Sequence, residues 1–147
     1  MDLTERPDID YLDRVRALAP TILGTADQAE RDRALPPELV DALHDAGLFR
    51  LLLPIPLGGT EVDVPTFFEI IEAVAKYDAS TAWCLCQSNG CAMAAPYMDA
   101  RVAQEIWGDD PKASVAWGPG KATVTEVEGG YRVTGNWSFA IGGRHAT

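Results

Sequence analysis

The chain has 147 residues, of which 47% are hydrophobic and 23% charged, and a formal net charge of -10. That length admits one domain, or one domain and the start of another, and twelve scattered basic residues against twenty-two acidic ones argue against a nucleic-acid-binding face. The start, Met-Asp-Leu-Thr-Glu-Arg-Pro-Asp, lacks the basic opening and apolar run of a signal peptide, and no apolar stretch reaches the ~20 residues of a membrane span, so a cytoplasmic protein with no membrane partner is expected.

Asp8 to about Arg33 predicts a first helix, with Ile9, Leu12, Val15, Leu18 and Ile22 on one stripe and a kink or break at Pro20. Pro36-Pro37-Glu38 opens a second helix, with Leu39, Leu43 and Ala46 facing inward and Gly47 as its C-terminal cap. His44, alone on that helix, reads as a packing residue. Leu51–Gly59 holds two prolines and cannot be helical, so it predicts a buried connection. The third helix starts at Val64-Pro65 and ends at Lys76-Tyr77-Asp78. Its run of Phe67, Phe68, Ile70, Ile71, Val74 and Ala75 predicts burial on more than one side. Ser80 or Thr81 caps a fourth helix from Ala82 to about Ala95, ended by Pro96, and Asp99 caps a short fifth bearing Val102, Ile106 and Trp107, closed by Gly108.

At Asp109-Asp110-Pro111 the period changes. A strand is expected over Ala113–Trp117, then the turn Gly118-Pro119-Gly120. Val124 and Val127 lead into a Glu128-Gly129-Gly130 turn. Beyond it Tyr131, Val133, Gly135, Trp137 and Phe139 alternate with polar residues, the pattern of a half-buried strand continuing around Phe139–Gly142. The expected fold class is α+β: a helical bundle over residues 1–110, then the first strands of an incomplete β-barrel domain over 111–147.

Self-sufficient catalytic motifs are absent. The sequence has no Gly-x-Gly-x-x-Gly after a strand, no phosphate loop and no Gly-x-Ser-x-Gly elbow. Two His and three cysteines (Cys84, Cys86, Cys91) supply no metal-ligand spacing, and the cysteines read as small packing residues. Glu69 and Glu72, one helical turn apart, read as solvent-facing. No catalytic residue and no metal site are assigned.

Three stretches taken together resemble a known family. They are Leu-Pro-x-x-x-Gly-Gly at Leu53–Gly59, Asp-Ala-Ser-Thr-Ala-Trp at Asp78–Trp83, and Gly-Gly-Tyr-Arg-Val-Thr-Gly-x-Trp-x-Phe-Ala-x-Gly with a following His-Ala. Their order is similar to the junction of helical and β domains in acyl-CoA dehydrogenase-like flavoproteins, most of all the branch that includes reduced-flavin-dependent monooxygenases. The resemblance implies a flavin cofactor, FAD or alternatively reduced FMN, and a homo-oligomer in intact relatives. It implies flavin contacts at Ala116 and Trp117, where the family's first flavin-contacting strand ends, and at Phe139, Ala140 and Ile141. An isoalloxazine ring wants an apolar wall and backbone N–H donors, which these segments supply. The alternative is that Trp117, Trp137 and Phe139 pack a barrel face against the helices.

Ile141 stands where the family usually has Ser or Thr, and the fourth helix carries Asn89, Gly90 and Cys91 where hydroxylases of the family place a His. The family's dehydrogenases take their general base from a C-terminal helical domain not found here, so a truncated or split product that binds flavin weakly or not at all by itself is expected. The leading functional expectation is part of an oxidoreductase acting on the CH–CH group of an acyl thioester. The second is part of a monooxygenase hydroxylating an aromatic or heterocyclic substrate with reduced flavin. A third is a non-catalytic helical module that pairs with other subunits.

Overall fold

The computed structural model describes residues 9–147. The helix start expected at Asp8 and the reading of the first eight residues as lacking a leader lie outside the described residues. The architecture is α+β, with five α-helices followed by a two-stranded antiparallel sheet. No described helix is long and apolar enough to cross a membrane.

Helix α1 (Tyr11–Asp32) is capped by Asp10, whose carboxylate accepts the Asp13 N–H at 2.9 Å. Of the kink or break expected at Pro20, the break does not occur: the helix is continuous through it. Pro20 is exposed, so the carbonyl left without a proline N–H faces water rather than core. Tyr11, Val15, Ile22 and Ala29 form the buried stripe, packed toward α2 and α3. Helix α2 (Pro37–Asp45) buries Leu39 and Leu43. His44 stacks on Phe49 with ring centroids 4.3 Å apart, a packing role, and burial pushes its imidazole below the ordinary value.

Helix α3 (Val64–Ala75) buries only one face, Phe67, Ile70 and Val74. Val64 and Phe68 are 58% and 62% exposed, which corrects the expectation of burial on several sides. It packs on α1 and α4, and its far side has no neighbour among the described residues. Helix α4 (Ala79–Ala92) is capped by Asp78, not by Ser80 or Thr81: the Asp78 carboxylate accepts the Thr81 N–H at 2.6 Å. A carboxylate there also meets the positive end of the helix dipole. Helix α5 (Ala100–Ala103), capped by Asp99, continues as a wider π turn over Gln104–Gly108. That turn buries Trp107 in a second, smaller core with Leu53, Ala92, Ala95, Ala103 and Ala113.

The Leu48–Gly59 connection contains the stretch expected to be buried, Leu51–Gly59, and is buried at Leu48, Phe49, Leu51 and Leu53; beyond these Pro54, Ile55, Leu57 and Gly59 are half-buried and Pro56 and Gly58 exposed. It forms 3-10 turns at Leu48–Arg50 and Ile55–Leu57, and Leu48, Leu51 and Leu53 are at most 1% exposed. Irregular backbone in a core needs partners from elsewhere. Asn89 of α4, fully buried, supplies them. Its Oδ1 accepts the Leu51 and Leu52 N–H groups at 2.8 and 3.2 Å. Its Nδ2 donates to the carbonyls of Leu48 and Leu85 at 2.8 and 2.9 Å. Arg50 works from the rim, donating to the carbonyls of Leu57, Trp107 and Pro111 at 2.8, 2.9 and 2.7 Å and to that of Asp110. Gly59 closes the loop because nothing larger fits: a Cβ there would stand 1.9 Å from the Leu53 carbonyl oxygen.

Strands β1 (Gly120–Val127) and β2 (Gly130–Trp137) pair through the Glu128-Gly129 turn, with Val124 opposite Val133. The register collects Ala122, Val124, Tyr131, Val133 and Trp137 with Glu126 on one face, and Lys121, Thr123, Thr125, Arg132, Thr134 and Asn136 with Val127 on the other. The period of two is therefore real, but the expected half-burial is not: Tyr131 and Trp137 are 70% and 51% exposed. Two further strands are corrected. Ala113–Trp117 has no ladder partner and is held at Ser114, whose carbonyl accepts the Thr147 N–H at 3.1 Å. The chain leaves extended geometry after Trp137 because Phe139 takes φ 54°, so Phe139–Gly142 is a turn and not a strand.

Asn89→Asp will replace two donors with a carboxylate facing the Leu48 and Leu85 carbonyls, and urea unfolding is expected to show a loss of about 2–4 kcal/mol. Gly59→Ala forces the Leu53 carbonyl aside and is expected to cost about 1–3 kcal/mol in the same measurement, whereas Gly24→Ala, with nothing within 4 Å of the added carbon, will stabilise α1 by about 0.5–1 kcal/mol.

Candidate functional site

Helix α4 has two working faces. Thr81, Leu85, Asn89 and Ala92 turn into the core, while Ser80 and Cys84, four apart, line a cleft of about 380 Å³. Further along the helix, the Cys91 thiol lies beside the Trp117 backbone. Burial pushes both thiols up, and nearby Asp78 adds to the effect at Cys84. Across the cleft runs the turn Ala140–His145, and the end of α1 with Ala34 and Leu35 closes the side.

The predicted residues fall into two groups that meet. A Cβ on Gly118 would stand 2.5 Å from the Ser138 carbonyl oxygen and 3.0 Å from the Ala140 nitrogen. Only glycine permits so close an approach, and the Ser138 N–H returns to the Pro119 carbonyl at 2.9 Å. Gly118, next in sequence to Ala116 and Trp117, thus abuts the start of the turn bearing Phe139, Ala140 and Ile141. Ala140 and Ile141 line the cleft with α4. Ala116, Trp117 and Phe139 are not among its walls. Trp117 and Phe139 are 62% and 84% exposed, so among the described residues neither is sealed against the helices.

A flavin needs flat apolar surface and N–H donors for its ring nitrogens and oxygens. Two aromatic rings are open, and among the described residues the N–H groups of Ala116, Phe139, Ala140 and Gly142 donate to no protein acceptor. The residues fit a flavin on those two counts. Ile141 supplies no hydroxyl, so any hydrogen bond from that position is to backbone. Among the described residues no group of three or more His, Cys, Asp and Glu is placed to hold a metal.

The turn is tied down at its far end. The Leu35 N–H donates to His145 Nε2 at 2.8 Å, Arg144 donates to the Asp32 carbonyl at 3.3 Å, and Ser114 Oγ donates to the His145 carbonyl at 3.3 Å. Sequence reasoning noted His145 without giving it a role, and missed Asn89 and Arg50 as anchors. One signal for Asn89 was available: it sits four residues after Leu85 on the core phase of α4, where a polar side chain must be holding something.

Residues 9–105 match the family model described as acyl-CoA dehydrogenase, N-terminal domain. The chain is 35% identical over 147 residues to the oxygenase subunit HsaA, a flavin-dependent monooxygenase of Mycobacterium tuberculosis, covering 99% of this chain and 37% of that one. The oxygenase component of p-hydroxyphenylacetate 3-hydroxylase from Acinetobacter baumannii is 32% identical, covering 97% of this chain and 35% of its own length. Among solved structures, XiaF from Streptomyces sp. in complex with FADH2 and glycerol matches with a TM-score of 0.87 and 30% identity, over 93% of this chain and 35% of that one. The chain therefore spans little more than a third of the length of these relatives. The matched domain, the open aromatic turn beside α4 and the relatives agree: the chain belongs to the acyl-CoA dehydrogenase-like superfamily, on the branch that holds flavin-dependent monooxygenases.

Proposed function

We propose that this chain contributes the helical wall and the first flavin-facing segments of an oxygenase that uses reduced flavin, FAD in the first instance, to hydroxylate an aromatic substrate. Residues 1–110 form its helical domain and 111–147 begin its β-domain. The observation that carries this is the meeting of Trp117–Gly118 with the Phe139–Ile141 turn, rings open and N–H groups free, beside the outer face of α4. Reduced flavin, when bound, supplies the electrons that activate dioxygen for hydroxylation. In this reading Trp117 and Phe139 give it flat apolar surface, the Ala116, Phe139 and Ala140 N–H groups orient it, and α4 screens one side from water. Dehydrogenation of an acyl thioester, the leading expectation from sequence, becomes the second reading, because the relatives are named as monooxygenases and hydroxylases.

Two experiments test the proposal. Oxygen consumption that needs a separate flavin reductase and a phenolic substrate supports it, and anaerobic flavin bleaching by an acyl-CoA replaces it with dehydrogenation. Reduced FAD is expected to quench the chain's tryptophan fluorescence saturably, with reduced FMN as the comparison. Trp117→Ala and Phe139→Ala should each weaken that binding about 3- to 10-fold, and no saturable quench with millimolar reduced flavin would overturn the assignment.

A further inference from the structure

His145 joins two parts of the chain that are far apart in sequence. Its Nε2 accepts the Leu35 N–H across 110 positions. A ring nitrogen that accepts holds no proton, so the neutral imidazole keeps its single proton on Nδ1. Nδ1 is buried and has no partner. The ring stands between two clefts. One is shared with Ala140, Ile141 and Cys84, and the other is lined by Asp32, Pro36 and Asp41. Leu35 itself is 5% exposed, so without His145 its N–H is a buried donor with no acceptor.

The titratable and charged groups around the ring come from every element that packs there. They are Glu30, Asp32 and Arg33 on α1, Asp41 on α2, Cys84 on α4 and Arg144 beside it. Among the described residues none hydrogen-bonds to the imidazole. Asp41 is engaged by Lys112 at 2.6 Å, and Arg144 points a donor to the Asp32 carbonyl. Nothing anionic is therefore bonded to the ring to stabilise a second proton, and burial pushes the imidazole below its ordinary value; the Leu35 backbone beside the ring acts against this and Arg144 acts with it.

We propose that His145 is a positioning residue: its neutral ring latches the Phe139–His145 turn to Leu35, holding Ala140 and Ile141 against α4, and a proton on Nε2 releases the turn. The functional part of this rests on the reading of that turn as flavin-facing. The latch itself does not.

The sign follows from proton linkage. The latched state binds fewer protons than the released state, so latching is complete above the released-state pKa of about 6.5 and weakens as pH falls below it, by up to tenfold per unit. The readout is the hydrogen-exchange protection factor of the Leu35 amide, followed from about pH 7 to about pH 5 in the wild type, in His145→Gln and in His145→Leu. A glutamine Oε1 can accept as Nε2 does but does not titrate. His44 is common to all three proteins and cancels. Wild-type protection is expected to fall with pH while His145→Gln stays flat, and His145→Leu should lack the protection throughout. Flat wild-type protection, an equal fall in His145→Gln, or protection retained in His145→Leu would each overturn the latch. Reduced FAD then separates the two claims. If His145→Leu loses Leu35 protection and also binds reduced FAD less tightly, with His145→Gln restoring both, latch and flavin reading stand together. If Leu35 protection is lost while flavin binding is unchanged, the latch stands and the turn does not face the flavin.

Discussion

One carboxamide holds the helical part of this chain together. Leu48–Gly59 runs past the core in 3-10 turns, and although Leu57–Gly59 and Thr60–Val62 pair part of its backbone, the Leu51 and Leu52 N–H groups and the Leu48 carbonyl are answered from another helix. Asn89 is the residue type that can answer two N–H groups and two carbonyls at once, because it carries both an acceptor oxygen and a two-donor nitrogen. An aspartate offers no donors and a leucine neither donors nor acceptors. The leucines around it supply the hydrophobic stabilisation, but they do not specify the path of the backbone. Asn89 does that from inside and Arg50 from outside, gripping the same connection to the end of the helical region at Trp107–Pro111.

The same helix then serves the site. Because α4 is anchored through Asn89, its opposite face is fixed in space, and that face meets the two segments that flank the ribbon. Small residues there, Ser80 and Cys84, leave room where larger ones would fill the cleft. The Ala140–His145 turn is in turn held by bonds to Leu35, Asp32 and Ser114. The site is thus assembled from parts remote in sequence, each tied to backbone rather than to another side chain.

What could be read from the sequence was what depends on near neighbours. Helical stripes such as Val15 and Ile22, or Leu39 and Leu43, repeat within one element and were legible. So were the Glu128-Gly129 turn and the burial of Leu51 and Leu53 in the connection, though not of its prolines. Local signals failed where a more distant or competing group decided the outcome. Asp78 outcompeted Ser80 and Thr81 as a cap because its charge suits the helix start. Pro20 did not break α1 because it faces water. Alternation through Phe139 suggested a longer strand, but a strand needs a partner for its hydrogen bonds, and Phe139 turns out of line instead. Asn89 and His145 act through contacts 37 to 41 and 110 positions away, which no periodicity records. The motif order, not the period, carried the family. It also ranked the two reactions in the order that the relatives reverse, since the shared scaffold serves both.

The ribbon has one oily side and no cover over it among the described residues. A lone pair of strands is marginal by itself, so its order is lent by its roots. Those roots are Gly120 and Trp137, a few residues from Trp117 and from Phe139. The two strands therefore behave like the handles of a pair of tongs whose jaws are the open aromatic rings. The jaws are set by their own pivot, because the Ser138 N–H donates to the Pro119 carbonyl at 2.9 Å just beyond the last rung of the ladder.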